Sequence, residues 1–154
     1  HYQTEDTPLG TGGAIKKALE ICKESNVFVL NGDTFFDVNF DNLLKEYKNF
    51  NCNLILSLKT MYNSDRYGSV VVENNYVKSF LEKTFHKETL INGGVYIVNR
   101  SIFDEIELDE NFSFEIDFLQ KQINNIKVAS FVSEGYFIDI GIPEDYEKAQ
   151  KDFL

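Results

Sequence analysis

Two spacings of apolar residues alternate along this chain and predict strands separated by helices. Ile15, Ala18, Leu19 and Cys22 fall at the spacing of one buried helix face. Residues 27–30 instead form a short continuous apolar run, which is typical of a buried strand. Strands are predicted at 1–5 (the end of one), 27–30, 53–59, 67–72, 76–81, 90–98, 127–132 and 137–140. Helices are predicted at 13–24, 41–50, 101–106, 114–123 and from 143 onward.

This alternation is typical of an α/β domain with a mostly parallel sheet. The Asn74-Asn75 pair tolerates positive φ and predicts a hairpin, which adds an antiparallel element. Ser113 is a predicted N-cap, and Pro143 opens the last helix at its first position. We therefore expect one domain over residues 1–154, with a Rossmann-like, doubly wound mixed sheet.

The composition and charge of the chain exclude several classes of binding partner. The 154 residues carry a formal net charge of −10, with no basic stripe for nucleic acid or an anionic membrane surface. No apolar run approaches the length of a membrane span, and no signal peptide is visible. Cys22 and Cys52 lack metal-site spacing, so we expect free structural thiols in a reducing cytoplasm.

The start of the chain suggests a longer protein. It begins with His1 rather than Met and, on this interpretation, partway through a strand. A doubly wound nucleotide domain normally opens with a strand, a phosphate loop and a helix. We expect an N-terminally truncated, carboxyl-terminal portion. The oligomeric state stays open, although an exposed sheet edge would favour a homo-oligomer.

Two aspartates follow predicted strands. Asp33 comes after an apolar strand and Asn31-Gly32, and Asp139 ends a second strand just before Gly141. Ligands in open parallel sheets bind beyond the carboxyl ends of the strands, where two carboxylates can converge. Two carboxylates with phosphate oxygens and water suit Mg²⁺. Either aspartate alone is equally well explained as a turn or cap residue.

A glycine-rich loop precedes the first helix. Gly10, Thr11, Gly12 and Gly13 lie where free helix N–H donors meet a ligand, and glycine leaves the backbone bare. The loop fits neither a Walker loop nor GxGxxG. A tight strand-to-helix turn is the alternative, and ligand contact is favoured.

A third group combines polar and glycine residues. A Glu such as Glu82 accepts hydrogen bonds from sugar hydroxyls, and Lys83 offers a point charge to phosphate. The Gly93-Gly94 pair inside a strand indicates a bulge or a close backbone approach. Taken alone, the Glu82-Lys83 pair is better explained as a solvated surface pair.

Six segments occur in an order that resembles the sugar-1-phosphate nucleotidylyltransferases. They are Pro8-Leu-Gly-Thr-Gly-Gly-Ala14, Leu30-Asn-Gly-Asp33, Arg66-Tyr-Gly68, Phe80-Leu-Glu-Lys83, Ile91-Asn-Gly-Gly-Val-Tyr96 and Phe137-Ile-Asp-Ile-Gly-Ile-Pro-Glu-Asp-Tyr146. Each is weak singly, but together they span essentially the whole chain. The Thr-Gly-Gly-Ala and Asn-Gly-Gly-Val-Tyr variants are most similar to the branch that joins GMP to a heptose 1-phosphate.

The resemblance implies transfer of a nucleotidyl group, GMP from GTP, to a sugar 1-phosphate in capsule or lipopolysaccharide biosynthesis. The implied nucleotide contacts are Gly10, Thr11, Gly12, Asn31 and Gly32. The implied sugar contacts are Tyr67, Gly68, Glu82, Asn92 and Gly93. The implied catalytic residues are Asp33, Asp139 and Lys83, of which the two aspartates hold Mg²⁺ and Lys83 contacts the sugar phosphate.

Departures from the family pattern set limits on this interpretation. The family's opening Gly-x-Gly-Thr-Arg-Leu loop and following Lys, its main triphosphate cradle and source of cations, are absent, so we expect no turnover by the 154-residue chain alone. Thr84 stands where the family often has Pro, and Ile142 where a capping Thr is common.

Other functions remain open at this point. A mannose- or glucose-1-phosphate nucleotidylyltransferase and a non-catalytic nucleotide-sugar-binding subunit are the alternatives. A metal-dependent glycosyltransferase fits poorly, because Asp33 is followed by Thr34 and Phe35 rather than by an Asp-x-Asp pattern.

Overall fold

Eight strands and four α-helices make up the structure, a computed structural model that describes residues 1–154. The α-helices are α1 (Gly10–Ile21), α2 (Phe40–Phe50), α3 (Gln120–Gln122) and α4 (Pro143–Asp152), and a π-helical segment, Phe114–Leu119, runs directly into α3. The strands are β1 (Asn26–Leu30), β2 (Thr34–Phe36), β3 (Leu54–Ser64), β4 (Ser69–Glu73), β5 (Tyr76–Leu81), β6 (His86–Asn99), β7 (Val128–Ser133) and β8 (Phe137–Asp139). None of the helices has the length and apolar character needed to cross a membrane.

Six strands form one mixed sheet in the order β1-β6-β3-β7-β5-β4, and β2 pairs with β8 in a separate two-stranded ribbon. The predicted mixed α/β sheet is confirmed. The expectation that it is mostly parallel is wrong, because only β3 and β7 pair in parallel. A continuous apolar run reports that a strand is covered on both faces, but it carries no information on the direction of its neighbours.

The sheet is covered on both faces, which produces the continuous apolar runs. Leu54, Leu56 and Leu58 of β3 belong to a core cluster that includes Phe118. Ile55, between them, belongs to a second cluster on the opposite face, with Leu43 and Tyr47 of α2 among others. Successive strand residues point to opposite faces, so β3 is buried along both sides.

Several local predictions are confirmed. Asn74 and Asn75 both have positive φ, 52° and 66°, in the turn between β4 and β5. The Ser113 hydroxyl accepts a hydrogen bond from the backbone N–H of Ile116 at 3.1 Å, and Pro143 is the first residue of α4. The pairing of β3 with β6 shifts register opposite the Gly93-Gly94 pair, which is the predicted bulge.

Other local predictions are wrong. Residues 1–5 form no strand and are exposed, since their one large apolar side chain, Tyr2, finds nothing to pack against. Residues 101–106 form turns, although Ile102 and Phe103 are buried. Helix α1 begins at Gly10 rather than near Gly13, so the glycine-rich segment is the first helical turn and not a loop that precedes it.

Candidate active site

A polar cavity of about 280 Å³ opens where α1, the β2–β8 ribbon, β6 and the π-helical segment meet. Its lining combines donors, acceptors and aromatic rings: Thr11, Ile15, Asn31, Thr34, Tyr67, Asn92, Tyr96, Ser113, Phe114, Glu115, Phe137 and Asp139. Five of the predicted site residues are therefore gathered in one place, although they come from five separate segments of the chain: Thr11, Asn31, Tyr67, Asn92 and Asp139.

Asp33 and Asp139 lie side by side, as expected, but they meet by a different route. Asp139 pairs with Thr34, the residue after Asp33, in the antiparallel β2–β8 ribbon. The backbone N–H of Ile140 donates to the carbonyl oxygen of Asp33 at 3.0 Å. The juxtaposition therefore comes from direct antiparallel pairing and not from neighbouring carboxyl ends of parallel strands.

The two carboxylates have different surroundings. The Asp33 carboxylate is exposed and accepts only a 3.3 Å hydrogen bond from the hydroxyl of Thr34. Oδ1 of Asp139 accepts from the N–H of Gly141 at 2.7 Å and lies 3.1 Å from Nη2 of Arg66. Arg66 also forms an ion pair with Asp145 on α4.

No group of three or more His, Cys, Asp or Glu side chains is arranged to hold a metal ion. Two aspartates on neighbouring backbone segments, one with its carboxylate open to solvent, fit Mg²⁺ if substrate phosphates and water complete its shell. This ion keeps several waters and is typically bound by one or two carboxylates together with phosphates. The donor set therefore suits a metal that is shared with a nucleotide and does not form a closed structural site.

The glycines of the first helical turn pack against the segment before the π-helical turn. A Cβ atom on Gly10, whose φ is +69°, would lie 2.6 Å from the carbonyl oxygen of Phe112, and a Cβ on Gly12 would lie 2.1 Å from the Phe112 ring. Thr11, between them, lines the cavity, and its hydroxyl accepts from the N–H of Phe114 at 2.9 Å. Of the three predicted nucleotide contacts in this helical turn, Gly10, Thr11 and Gly12, only Thr11 lines the cavity.

Substitution of Gly12 tests this packing. We expect Gly12→Ala to destabilise the protein by about 1–3 kcal/mol, the usual range for overpacking, because Phe112 is itself buried and has little room to move. Thermal or urea denaturation measures the change. Gly32→Ala is the matched control, since a Cβ there meets nothing within 4 Å. Equal stability of the two variants would contradict the packing role of Gly12.

Gly32 and Gly93 also differ from one another. An added Cβ on Gly32 would meet no neighbouring atom within 4 Å, which leaves room for a ligand. A Cβ on Gly93 would lie 2.4 Å from the ring of Phe36, so this glycine accommodates the protein's own core. Asn31, next to Gly32, donates its backbone N–H to the carbonyl of Gly94 at 2.9 Å and lines the cavity.

A half-buried polar network around Asn92 lines another part of the cavity. The amide nitrogen of Asn92 donates to the hydroxyl of Tyr96 at 2.9 Å, and its oxygen accepts from the N–H of Gly94 at 3.1 Å. Glu115 lies beside them. Burial raises the pKa of its carboxyl, while the positive charge of Lys83 and hydrogen bonding by Asn92 act in the opposite direction.

Tyr67 carries a second polar group toward the cavity. Its ring packs against Phe137, with ring centroids 5.9 Å apart, and the Arg66 guanidinium lies 5.1 Å from its centroid. Burial, followed by the negative charge of Asp139, raises the pKa of Tyr67 to about 12. The hydroxyl therefore remains protonated near neutral pH and can donate a hydrogen bond.

The remaining candidates lie outside the cavity wall. Glu82 and Lys83 are exposed in the segment after β5, although the charge of Lys83 influences Glu115. Gly68 packs beside β5, where an added Cβ would lie 3.0 Å from the carbonyl oxygen of Leu81.

Glu115 and Arg66 were not predicted as site residues. Glu115 is the second residue after the N-cap Ser113, which is also an ordinary position for an acidic residue at a helix start. Arg66 belongs to one of the six motif segments, but nothing local indicated that it pairs with Asp139. Both positions acquire their environment through contacts between distant segments.

Comparison with known proteins agrees with the motif set. The model of the nucleotidyl transferase family matches residues 1–154. The D-glycero-alpha-D-manno-heptose 1-phosphate guanylyltransferase of Aneurinibacillus thermoaerophilus is 49% identical over 152 residues, which is 99% of this chain and 66% of that protein. The enzyme of the same name from Campylobacter jejuni is also 49% identical, over 94% of this chain and 63% of its own length.

Solved structures give the same result. The crystal structure of HddC from Yersinia pseudotuberculosis complexed with GMP-PN superposes with a TM-score of 0.85 at 38% identity, covering 97% of this chain and 65% of that one. This chain thus spans about two thirds of the length of the relatives it matches. With the match over its whole length, the chain belongs to the nucleotidyl transferase family.

Proposed function

We propose that the protein containing this chain transfers GMP from GTP to D-glycero-D-manno-heptose 1-phosphate and releases pyrophosphate. The observation that carries the proposal is that the β2–β8 ribbon brings Asp33 beside the segment of Asp139, which lines the cavity, together with the open space beside Gly32. Two relatives at 49% identity bear the name of heptose 1-phosphate guanylyltransferase. Residues 1–154 are proposed to belong to a single nucleotidylyltransferase domain.

The nucleotide side of the site is proposed to be the first turn of α1 and the β1–β2 connection. A helix N-terminus offers unpaired N–H groups and a partial positive charge, both suited to an anionic ligand. Thr11 and Asn31 line the cavity there. Gly32 leaves space for close approach, while Gly10 and Gly12 set the position of the turn through their packing on Phe112.

The sugar side is proposed to be the polar group of side chains around Asn92. Asn92, Glu115 and Tyr67 line the cavity with an amide, a carboxylate and a protonated phenol, a combination that can bind several sugar hydroxyls. Lys83 lies close enough to Glu115 to influence its charge. We assign to Lys83 the phosphate of the sugar 1-phosphate, and to Glu82, Gly68 and Gly93 only an indirect part in shaping this part of the cavity.

The reaction is an in-line displacement at the α-phosphorus. A phosphate oxygen of the sugar 1-phosphate forms the new P–O bond as the bond to the β-phosphate breaks and pyrophosphate leaves. The attacking oxygen is already anionic, so no strong general base is required. Mg²⁺ bound by Asp33 and Asp139 would supply charge neutralisation at the transferred phosphate. The other residues position the two anions, a contribution that can account for much of the rate.

A substrate panel tests the proposal. We expect the full-length protein to release pyrophosphate fastest with GTP, a heptose 1-phosphate and Mg²⁺ among all combinations of four nucleoside triphosphates with heptose, mannose and glucose 1-phosphates. A preference for mannose 1-phosphate would move the assignment to the more distant relatives, which are 29–34% identical mannose-1-phosphate guanylyltransferases. Nucleotide binding without turnover on any sugar would support a regulatory subunit instead.

The remaining parts of the proposal concern the cellular compartment and the pathway. We place the activity in the cytoplasm, where GTP is available, and its product in capsule or lipopolysaccharide biosynthesis. The 154-residue chain without the rest of the protein is expected to release no pyrophosphate, and turnover by the chain alone would contradict that expectation.

A further inference from the structure

Arg66 joins three segments beside the proposed metal site. It lies between β3 and β4, and its guanidinium reaches the β8–α4 connection. Nη2 lies 3.1 Å from Oδ1 of Asp139 and 3.2 Å from the carbonyl oxygen of the same residue, while Nη1 donates to Asp145. The three side chains are only 25–29% exposed, so water screens these contacts incompletely.

The two carboxylate oxygens of Asp139 have different partners. Oδ1 already accepts from the N–H of Gly141 at 2.7 Å and is paired with Arg66. Oδ2 forms no ion pair and accepts no backbone hydrogen bond, and the hydroxyl of Tyr67 is the hydrogen-bond donor near this carboxylate. A cation approaching Asp139 therefore meets one oxygen without an ion pair, and the other is turned toward positive or partially positive groups.

The charges explain why this arrangement matters. A guanidinium close to a ligand oxygen opposes a second cation at the same carboxylate, and Asp145 offsets part of that opposition by sharing the guanidinium. The local affinity for a free divalent cation is then set by the balance between Arg66 and Asp145.

We propose that Arg66 is a positioning residue that restricts Asp139 to binding a metal through one oxygen and keeps the affinity for a free divalent cation low, so that metal enters together with the nucleoside triphosphate. This inference rests on the proposed function. It assigns to Arg66 and Asp145 opposite effects on the same carboxylate, and that opposition can be measured without any turnover.

The test is a titration of the full-length protein with Mn²⁺ in the absence of nucleotide. The electron paramagnetic resonance signal of free Mn²⁺ measures how much of the ion is bound. We expect Arg66→Gln to bind Mn²⁺ roughly 30-fold more tightly than the wild type, the effect in water of one unit charge about 4 Å from a divalent ion. Asp145→Asn should bind it more weakly by a similar factor, because the guanidinium charge is then uncompensated.

Both substitutions remove the Arg66–Asp145 ion pair, so a merely structural role would shift Mn²⁺ affinity in the same direction in both variants. Shifts in the same direction, or no shift in either variant, would overturn the inference. Undetectable binding by both the wild type and Arg66→Gln would also overturn it. Lys59→Gln is the matched control, since it removes one positive charge and one ion pair, with Glu134, outside the cavity. Thermal denaturation confirms that each variant is folded.

Turnover separates this inference from the proposed function. With GTP, sugar 1-phosphate and Mg²⁺, Arg66→Gln should have a lower kcat despite its tighter binding of the free ion, since Oδ1 is then held by the N–H of Gly141 alone. Absence of pyrophosphate release by the wild type would refute the proposed function alone. The opposite shifts in Mn²⁺ affinity are measured without GTP and therefore test the role of Arg66 separately.

Discussion

Replacing either aspartate of the Asp33–Asp139 pair is expected to lower kcat by about 100-fold or more in the full-length protein. A metal that stabilises transition-state charge contributes several kcal/mol, and each 1.36 kcal/mol is a factor of ten in rate. Asp33→Asn and Asp139→Asn keep the size of each side chain and remove its charge. Steady-state pyrophosphate release at increasing Mg²⁺ concentrations measures both kcat and the metal requirement.

The control for this prediction is Asp37→Asn. Asp37 directly follows β2, is exposed and does not line the cavity, so the change removes the same charge at the opposite end of β2 from Asp33. It should leave kcat and Mg²⁺ dependence within about twofold of the wild type, as expected for a surface substitution. If Asp33→Asn and Asp139→Asn retained wild-type turnover and Mg²⁺ dependence, the assignment of these residues as metal ligands would be wrong.

Glu115→Gln is expected to weaken catalysis while it strengthens the fold. Loss of a charge-assisted hydrogen bond to a sugar hydroxyl costs about 1.5–3 kcal/mol, which lowers kcat/KM for the sugar 1-phosphate roughly ten- to a hundredfold. The KM for GTP should change little, because the Glu115 carboxylate is assigned to the sugar hydroxyls, whereas Thr11 and Asn31 are the cavity-lining residues assigned to the nucleotide. Steady-state kinetics with each substrate varied in turn measures this separation.

The stability effect of Glu115 depends on pH with a defined sign. Burial raises the pKa of its carboxyl in the folded protein, so the folded state favours the protonated form. Its contribution is fully present below the ordinary Glu pKa of about 4.3 and is lost as pH rises through the raised value. Glu115→Gln should therefore be more stable than the wild type at pH 7, and the difference should shrink toward pH 4.

Urea denaturation at several pH values measures this difference, with Glu110→Gln as the control. Glu110 is exposed, lies in the neighbouring segment and does not line the cavity, so its substitution should change neither stability nor kcat/KM. A Glu115→Gln variant that is less stable than the wild type at pH 7 would show that the carboxylate is held by favourable contacts that outweigh its burial.

Local sequence was sufficient for turns and caps. The Asn74-Asn75 turn, the Ser113 cap and the first position of α4 at Pro143 each depend on the conformational or hydrogen-bonding preference of one or two residues. These features were correctly predicted because the interactions that decide them lie within a few residues along the chain.

Strand direction and the purpose of each glycine were not available from local patterns. The apolar runs of β3 and β6 reported that both faces of each strand are covered, and antiparallel strands between two layers satisfy that pattern as well as parallel ones do. Gly12 and Gly32 look alike in the sequence, yet one packs on Phe112 and the other faces open space.

By itself, the sequence determined the family, through six motifs in a fixed order, and it identified Asp33 and Asp139 as the pair to examine. Only the tertiary structure decided that these aspartates meet through the antiparallel β2–β8 ribbon, that Arg66 engages one oxygen of Asp139, and that Glu115 is half-buried in the cavity. The physical reason is range. Motifs and caps are properties of neighbouring residues, whereas burial, charge pairing and pKa depend on side chains brought together from segments as many as 106 positions apart, as Asp33 and Asp139 are (139 − 33).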